Sequence, residues 1–196
     1  MNLIVLTAPS GAGKTTLARR VMREVPGLRF SVSATTRPPR EGERDGVDYF
    51  FLSLGEFHER IEAGDFVEFE EVYPGRFYGT LASQLEASAR EASGEGGATV
   101  LDIDVKGALN VKERFGADVL TLFIAPPSLG ELERRLRSRG TETEDRIRVR
   151  LERAEMEMAH AERFDHTVVN DDLDRAVGET RDLVRRFLAR GANSHT

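Results

Sequence analysis

Between the apolar run Leu3 to Thr7 and a helical segment from Thr15 to Val25 lies Ala8-Pro9-Ser10-Gly11-Ala12-Gly13-Lys14-Thr15. Apart from Ala8, the octet fits G-x-x-x-x-G-K-[ST] in a strand–loop–helix context. This order of residues suits a phosphate cradle. Gly11 and Gly13 let successive backbone N–H groups curl toward one point, and the following helix aims its positive end at the same place. Lys14 adds a mobile positive charge for terminal phosphates, the Thr15 hydroxyl is placed to ligate Mg²⁺, and Thr16 continues the same turn. Ala8 is harmless with a negative φ and costly if the backbone there is left-handed.

A second anion site is needed to choose among reactions. Thr35-Thr36-Arg37-Pro38-Pro39-Arg40-Glu41-Gly42-Glu43-Arg44 sets three arginines in a proline-stiffened loop without a helical stripe. Arginine forks bind phosphate bidentately, and proline limits the entropy lost on ordering them. Beside the first loop, this points to a phosphorylated acceptor. Asp104-Val105-Lys106-Gly107 matches D-x-x-G, but no Asn/Thr-Lys-x-Asp segment accompanies it, so we read it as a chance match and not as a GTPase signature. His58, His160, His166 and His195 have no metal-ligand spacing.

The elements that position these groups alternate. Apolar runs at Leu3 to Thr7, Thr99 to Asp104, Leu120 to Ile124 and Thr167 to Asn170 read as strands buried on both faces. Helical stripes run through Ile147, Leu151, Ala154, Met158 and Ala161, and from Leu173 through Val184 to Leu188. Ser53 with Glu56, and Ser128 with Glu131, have capping-box spacing. Such alternation predicts an α/β fold with a parallel sheet. Residues 33–80, rich in Pro, Gly and aromatics, break the rhythm as an inserted β-rich lobe. Residues 137–153 read as an arginine-dense flap, Ser93 to Gly97 as a turn, and Gly191 to Thr196 as a frayed tail.

The 196 residues carry 28 Lys plus Arg against 34 Asp plus Glu, a formal net charge of -6, and no cysteine. Disulfides, cysteine-ligated metal and thiolate catalysis are thereby excluded. The acidic balance argues against nucleic acid as a partner. No apolar run approaches the ~20 residues of a membrane span, and the opening Met1 to Leu6 lacks the basic region of a signal peptide. A cytoplasmic protein is expected, as monomer or homodimer.

The segment Phe30-Ser31-Val32-Ser33-Ala34-Thr35-Thr36-Arg37-Pro38-Pro39-Arg40-Glu41-Gly42-Glu43 closely resembles the GMP-binding stretch of guanylate kinases. So do Gly46 to Phe51, Phe66 to Phe69, Phe77 to Thr80, Leu101 to Asp104 with Gly107, Arg139 to Glu144 and Val169 to Asp174, in the same order, from about residue 3 to 188. The resemblance implies a P-loop parallel-sheet core flanked by helices (1–32, 84–136 and 154–196), a small β-rich GMP-binding lobe (33–83) and a helical arginine-bearing lid (137–153). It implies transfer of the γ-phosphoryl group of ATP, carried with Mg²⁺, to GMP. Ala8 to Thr16 and Asn170 would bind ATP. Arg37, Arg40 and Tyr49 would hold the GMP phosphate. Ser33, Glu68, Thr80 and Asp104 would read guanine, with Tyr78 and Asp102 nearby. Catalytic roles would fall to Lys14, Arg37, Arg139 and Arg150. Besides Ala8, the sequence departs from the family pattern in Phe69, where tryptophan is common, and in a loop at Tyr73-Pro74-Gly75-Arg76 that is one residue longer.

The implied chemistry agrees with the residue types. Guanine offers N1–H and N2 amino donors beside the O6 acceptor, so carboxylates match the first two and a hydroxyl the third. Adenine would leave such groups unpaired, a discrimination worth up to ~10⁴–10⁵. The second phosphate pKa of the acceptor lies at about 6, so no general base is required. Catalysis reduces to positioning and charge neutralisation. Two rivals are weaker. A guanylate-kinase-like protein-interaction module would not need the intact Lys14 loop, and a same-fold kinase of a phosphorylated sugar would not need Glu68, Thr80 and Asp104.

Overall fold

The structure, a computed structural model, describes residues 1–93, 96–138 and 143–193. Its frame is a five-stranded parallel sheet in the order β2-β7-β1-β8-β9. The strands are β1 (Leu3–Thr7), β2 (Leu28–Phe30), β7 (Ala98–Asp102), β8 (Val119–Ala125) and β9 (His166–Val169). β1 and β8 are buried at every position, as strands covered on both faces must be. Their apolar runs hide a period of two. Ile4 and Leu6 join Leu122 and Ile124 under α1 (Lys14–Glu24) and α7 (Leu173–Asn193), through Leu17, Val21, Val177 and Val184. Leu3 and Val5 join Leu101 and Phe123 under α3 (Ala82–Ser93) and α4 (Val105–Phe115), through Leu85, Ala108 and Val111. Truncating a fully buried residue such as Leu122 to alanine would cost ~2–5 kcal/mol.

A second sheet of order β4-β3-β6-β5 is built from β3 (Ala34–Thr35), β4 (Phe50–Phe51), β5 (Phe66–Tyr73) and β6 (Arg76–Leu81). It packs on α2 (Leu54–Glu62), whose Phe57 is fully buried and stacks on Phe66 at 4.4 Å. Ser53 and Glu56 form the full capping box of α2. β5 and β6 join through Pro74-Gly75, with Gly75 at φ 72° and irregular pairing between Glu71 and Tyr73. A third cluster, Leu132, Leu136, Ile147 and Ala154, holds α5 (Leu129–Ser138) to α6 (Glu144–Met158).

Some expected boundaries move. β7 stops at Asp102, because Asp104 turns to cap α4. α6 ends at Met158, leaving Ala161 to a separate 3₁₀ turn. The Ser128 hydroxyl caps the Glu131 N–H, but the Glu131 carboxylate is gripped by Arg134 and Arg135. α7 continues through Gly191 to Asn193, and residues 94–95 and 194–196 of the expected turn and tail lie outside the described residues. Among the described residues, no helix is long and apolar enough to cross a membrane.

Candidate active site

All five strands of the main sheet run the same way, so the segments that follow them gather at one edge, where ligands of open α/β sheets bind. β1 ends at Thr7, whose hydroxyl donates to the Ile103 carbonyl at 3.0 Å and ties two strand ends together. In the loop beyond, the Ala12 N–H donates to the carbonyl of buried Pro9 at 3.0 Å, and Gly11 and Gly13 hold φ of 100° and 93°. Ala8, half-buried against the core, has no such φ, as is true of every described non-glycine residue, so its methyl group adds no backbone strain. α1 opens from Gly13 with no side-chain cap and no acid in its first turn. Its first N–H groups and dipole are thus left for an anion.

The groups around this loop come from distant strands. Lys14 is ion-paired with Asp102 at the end of β7. Asn170, buried after β9, donates from Nδ2 to the Ala12 carbonyl at 2.7 Å, while its own N–H donates to Ala125 at 2.8 Å. A Cβ on Gly13 would lie 2.4 Å from that Nδ2, and one on Gly11 would lie 2.9 Å from Leu136 Cδ2. The loop is therefore seated on Asn170 and on the apolar side of α5. Ser10, exposed, accepts from Arg150 Nη1 of α6 at 2.9 Å. Thr15 and Thr16 are exposed on the first turn of α1.

A second group of residues lies on the smaller sheet. Arg37 is only 6% exposed and donates bidentately to Glu43, at 2.6 and 2.7 Å. Its guanidinium sits 4.8 Å from the Tyr49 ring centre. The Glu43 bond holds the Arg37 pKa up, and the Arg37 bond holds Glu43 down at about 2. Glu43 also accepts the Arg40 N–H at 2.7 Å, leaving the Arg40 residue exposed beside the turn. Tyr49 meets Tyr78 edge-on at 6.1 Å, and burial raises its phenol pKa.

Glu68 and Thr80 face each other in the β5–β6 register. The Thr80 hydroxyl donates to Glu68 Oε1 at 2.6 Å, and both residues are buried. Burial pushes the Glu68 carboxyl up to about 7; the Thr80 bond opposes this and nearby Asp104 adds to it. Asp104 accepts the Gly107 N–H at 2.8 Å, so the D-x-x-G match has a local cause: a side-chain cap on α4. Ser33, buried, immediately precedes β3, whose Ala34 pairs with Gly79 beside Thr80.

The structure thus brings Lys14, Asp102, Asn170 and Arg150 to the glycine loop, and Glu68, Thr80 and Asp104 to one side of β5. Arg139 lies outside the described residues. Sequence reasoning missed two groups. Glu43 sits six residues beyond Arg37 in a loop, a spacing with no periodic signal. Arg153 of α6 donates from Nη1 to the Val72 carbonyl of β5, donates from Nε to Glu157 at 2.7 Å, and covers the Tyr73 ring at 5.5 Å. Its i,i+4 acid was visible in the sequence, but its partner on the hairpin was not. Among the described residues, no group of three or more His, Cys, Asp or Glu could hold a metal. His58 instead lies edge-on to Phe77 at 5.3 Å.

The arrangement can be set beside known proteins. The sequence model of the family described as guanylate kinase matches residues 1–187. The guanylate kinase of Salinibacter ruber is 60% identical over 188 residues, covering 96% of this chain and 97% of that relative. That of Chlorobium luteolum is 48% identical, over 95% of this chain and 92% of its own. The crystal structure of guanylate kinase from Anaplasma phagocytophilum superposes with a TM-score of 0.75 at 31% identity, covering 94% of this chain and 85% of that one. A shikimate kinase from Bacteroides thetaiotaomicron, 18% identical with a TM-score of 0.52 over 94% of this chain and 98% of that one, shares the fold alone. With the glycine loop at one edge of the parallel sheet and the buried Glu68–Thr80 pair on the smaller sheet, the chain belongs to the guanylate kinase family.

Proposed function

We propose that this chain transfers the γ-phosphoryl group of ATP to GMP, releasing ADP and GDP. The observation that carries the acceptor assignment is the Glu68–Thr80 pair, buried and set beside Asp104. A buried carboxylate next to a hydroxyl matches the donor-rich edge of guanine and leaves adenine unpaired. Ser33 and Asp104 complete the base site. Arg37, Arg40 and Tyr49 bind the acceptor phosphate, with Glu43 holding Arg37 in its fork geometry and Tyr78 edge-on to Tyr49.

Residues Ala8 to Thr16 cradle the ATP phosphates. Lys14 reaches them by exchanging Asp102 for a phosphate oxygen, and Asn170 holds the loop in shape. Mg²⁺ fits this site as an ion carried mainly by phosphates, since the exposed Thr15 hydroxyl offers one protein ligand at the loop. When bound, it would neutralise charge on the transferring group. An oxygen of the GMP phosphate dianion attacks the γ-phosphorus as the bond to the β-bridging oxygen breaks. Lys14, Arg37, Arg150 and Arg139 neutralise the charge that two polyanions bring together.

The parts assigned to this work are a core (1–32, 84–136, 154–196), an acceptor lobe (33–83) and a lid (137–153); α6 runs unbroken from lid into core. Closure of lobe and lid would exclude water from the reaction. We assign the protein to the cytoplasm. An ADP-release assay with GMP, AMP, UMP and ribose 5-phosphate tests the reading: turnover should be confined to GMP, and equal turnover with AMP or the sugar would refute it.

A further inference from the structure

Gly107 is the third residue of α4 and its backbone φ is not positive, so its backbone conformation does not call for glycine. Glycine is also a poor helix former. The reason for its presence lies across the cleft. A Cβ built on Gly107 would stand 2.4 Å from Glu68 Oε2, 3.1 Å from Glu68 Cδ and 3.6 Å from Asp104 Oδ1.

We propose that Gly107 is a positioning residue for acceptor-base recognition: its missing side chain is the space in which the Glu68 carboxylate is held over the start of α4. This rests on the reading of Glu68 as the guanine contact. The geometry leaves the carboxylate few alternatives. Oε1 takes the Thr80 hydroxyl at 2.6 Å, and Oε2 lies over the Gly107 Cα. Strand pairing of Glu68 with Thr80 fixes the backbone beneath. A methyl group at 107 therefore cannot be met by moving the strand. Glu68 must swing away and release Thr80. The same residue donates its backbone N–H to Asp104 at 2.8 Å, a bond that any residue at 107 but proline would keep, so glycine itself is required by Glu68 alone. The positive end of α4 also lowers the cost of holding two carboxylates close together.

The obstructed atom is the tip of a flexible side chain, so the substitution should spoil recognition without harming the fold. Four chains decide the matter: wild type, Gly107→Ala, Glu68→Ala and the double variant. Each is assayed for KM with GMP, KM with ATP, preference for GMP over inosine monophosphate (which lacks the N2 amino donor) and melting temperature. Gly107→Ala should raise KM for GMP by about tenfold or more and shrink the preference by a similar factor. KM for ATP should stay within about twofold, and Tm should fall by no more than a few degrees, alanine's better helix propensity offsetting part of the lost Thr80 bond. In the Glu68→Ala background, adding Gly107→Ala should change KM for GMP by less than about twofold, because the group it displaces is gone.

An unchanged KM for GMP in Gly107→Ala overturns the proposal, as does an equal loss with and without Glu68. Should Gly107→Ala fail to fold, recovery of folding in the double variant would support the clash with Glu68, and failure of both would overturn it. A wild-type chain that does not phosphorylate GMP would instead remove the functional reading, a result obtained before any variant is compared.

Discussion

The Lys14 ammonium, at the start of α1, is ion-paired with the carboxylate of Asp102, at the end of β7, and both side chains are about four-fifths buried, at 19% and 20% exposure. The lysine that would serve the phosphates is thus held by an internal anion. Phosphate must compete with Asp102 for it. A partly shielded pair of this kind is worth about 1 kcal/mol, so Asp102→Asn should tighten metal-free ATP binding by roughly fivefold. Equilibrium titration with a fluorescent ATP analogue in EDTA checks this.

Glu68 carries a pH signature. Its carboxyl pKa rises from 4.5 to about 7 in the folded chain, chiefly through burial. Folding therefore favours its protonated form, and stability falls as pH climbs from about 4.5 to 7 and is flat above. Glu68→Gln removes that penalty. It should raise Tm at pH 8, with the gain vanishing near pH 4. The same variant should lose the rise in kcat/KM for GMP near pH 7 while keeping an inflection near ~6 from the acceptor phosphate. Thermal melts and pH–rate profiles of both chains read this out.

Glu43 holds Arg37 by two hydrogen bonds and the Arg40 N–H by a third. Arg37 is buried while Glu43 is partly exposed, so removing Glu43 costs a charge-assisted hydrogen-bond pair of about 1.5–3 kcal/mol. Glu43→Ala should weaken GMP binding by at least about tenfold and leave ATP binding unchanged. Glu43→Gln should recover part of the loss by keeping the hydrogen bonds without the charge. Isothermal titration with each nucleotide checks the split. The stabilisation from Glu43 ionisation is complete above its ordinary pKa of 4.5 and is lost as pH falls toward about 2.

Arg150 reaches the glycine loop through Ser10 at 2.9 Å. An arginine that neutralises charge on the transferring group is worth about 10²–10³ in rate or more. Arg150→Ala should cut kcat by that order, while Tm shifts by only a few degrees, as for an ordinary surface substitution. Steady-state kinetics alongside melts separates the two.

Arg153 bridges α6 to the β5–β6 hairpin by its bond to the Val72 carbonyl and its cover of Tyr73. Arg153→Ala should let helix and hairpin part more readily. The expected result is a several-fold higher KM for both substrates and faster backbone hydrogen exchange at the hairpin.

The legible parts of this molecule are those written in short runs. Leu3 to Thr7 and the octet after it announced the strand and the glycine loop, and the capping pair at Ser53 announced α2. The chance D-x-x-G match at Asp104-Val105-Lys106-Gly107 gives no sign of α4 by itself; in the fold the same letters are a side-chain cap at the start of that helix. The pairings that define the site were beyond reach. Lys14 with Asp102, Asn170 with Ala12 and Arg150 with Ser10 join residues 88, 158 and 140 positions apart, set by strand order and not by spacing. The family resemblance implies which residues to expect there. Only the fold shows which of them hold each other.

The seat of Gly11 on Leu132 and Leu136 has a genetic corollary. α5 offers that seat only aliphatic carbon, yet bulkier residues at either leucine would tilt the turn above. A random-mutagenesis screen for inactive clones should therefore recover lesions on this greasy surface as often as in the cradle itself. Such clones would look like failures of nucleotide capture although no altered atom touches the nucleotide.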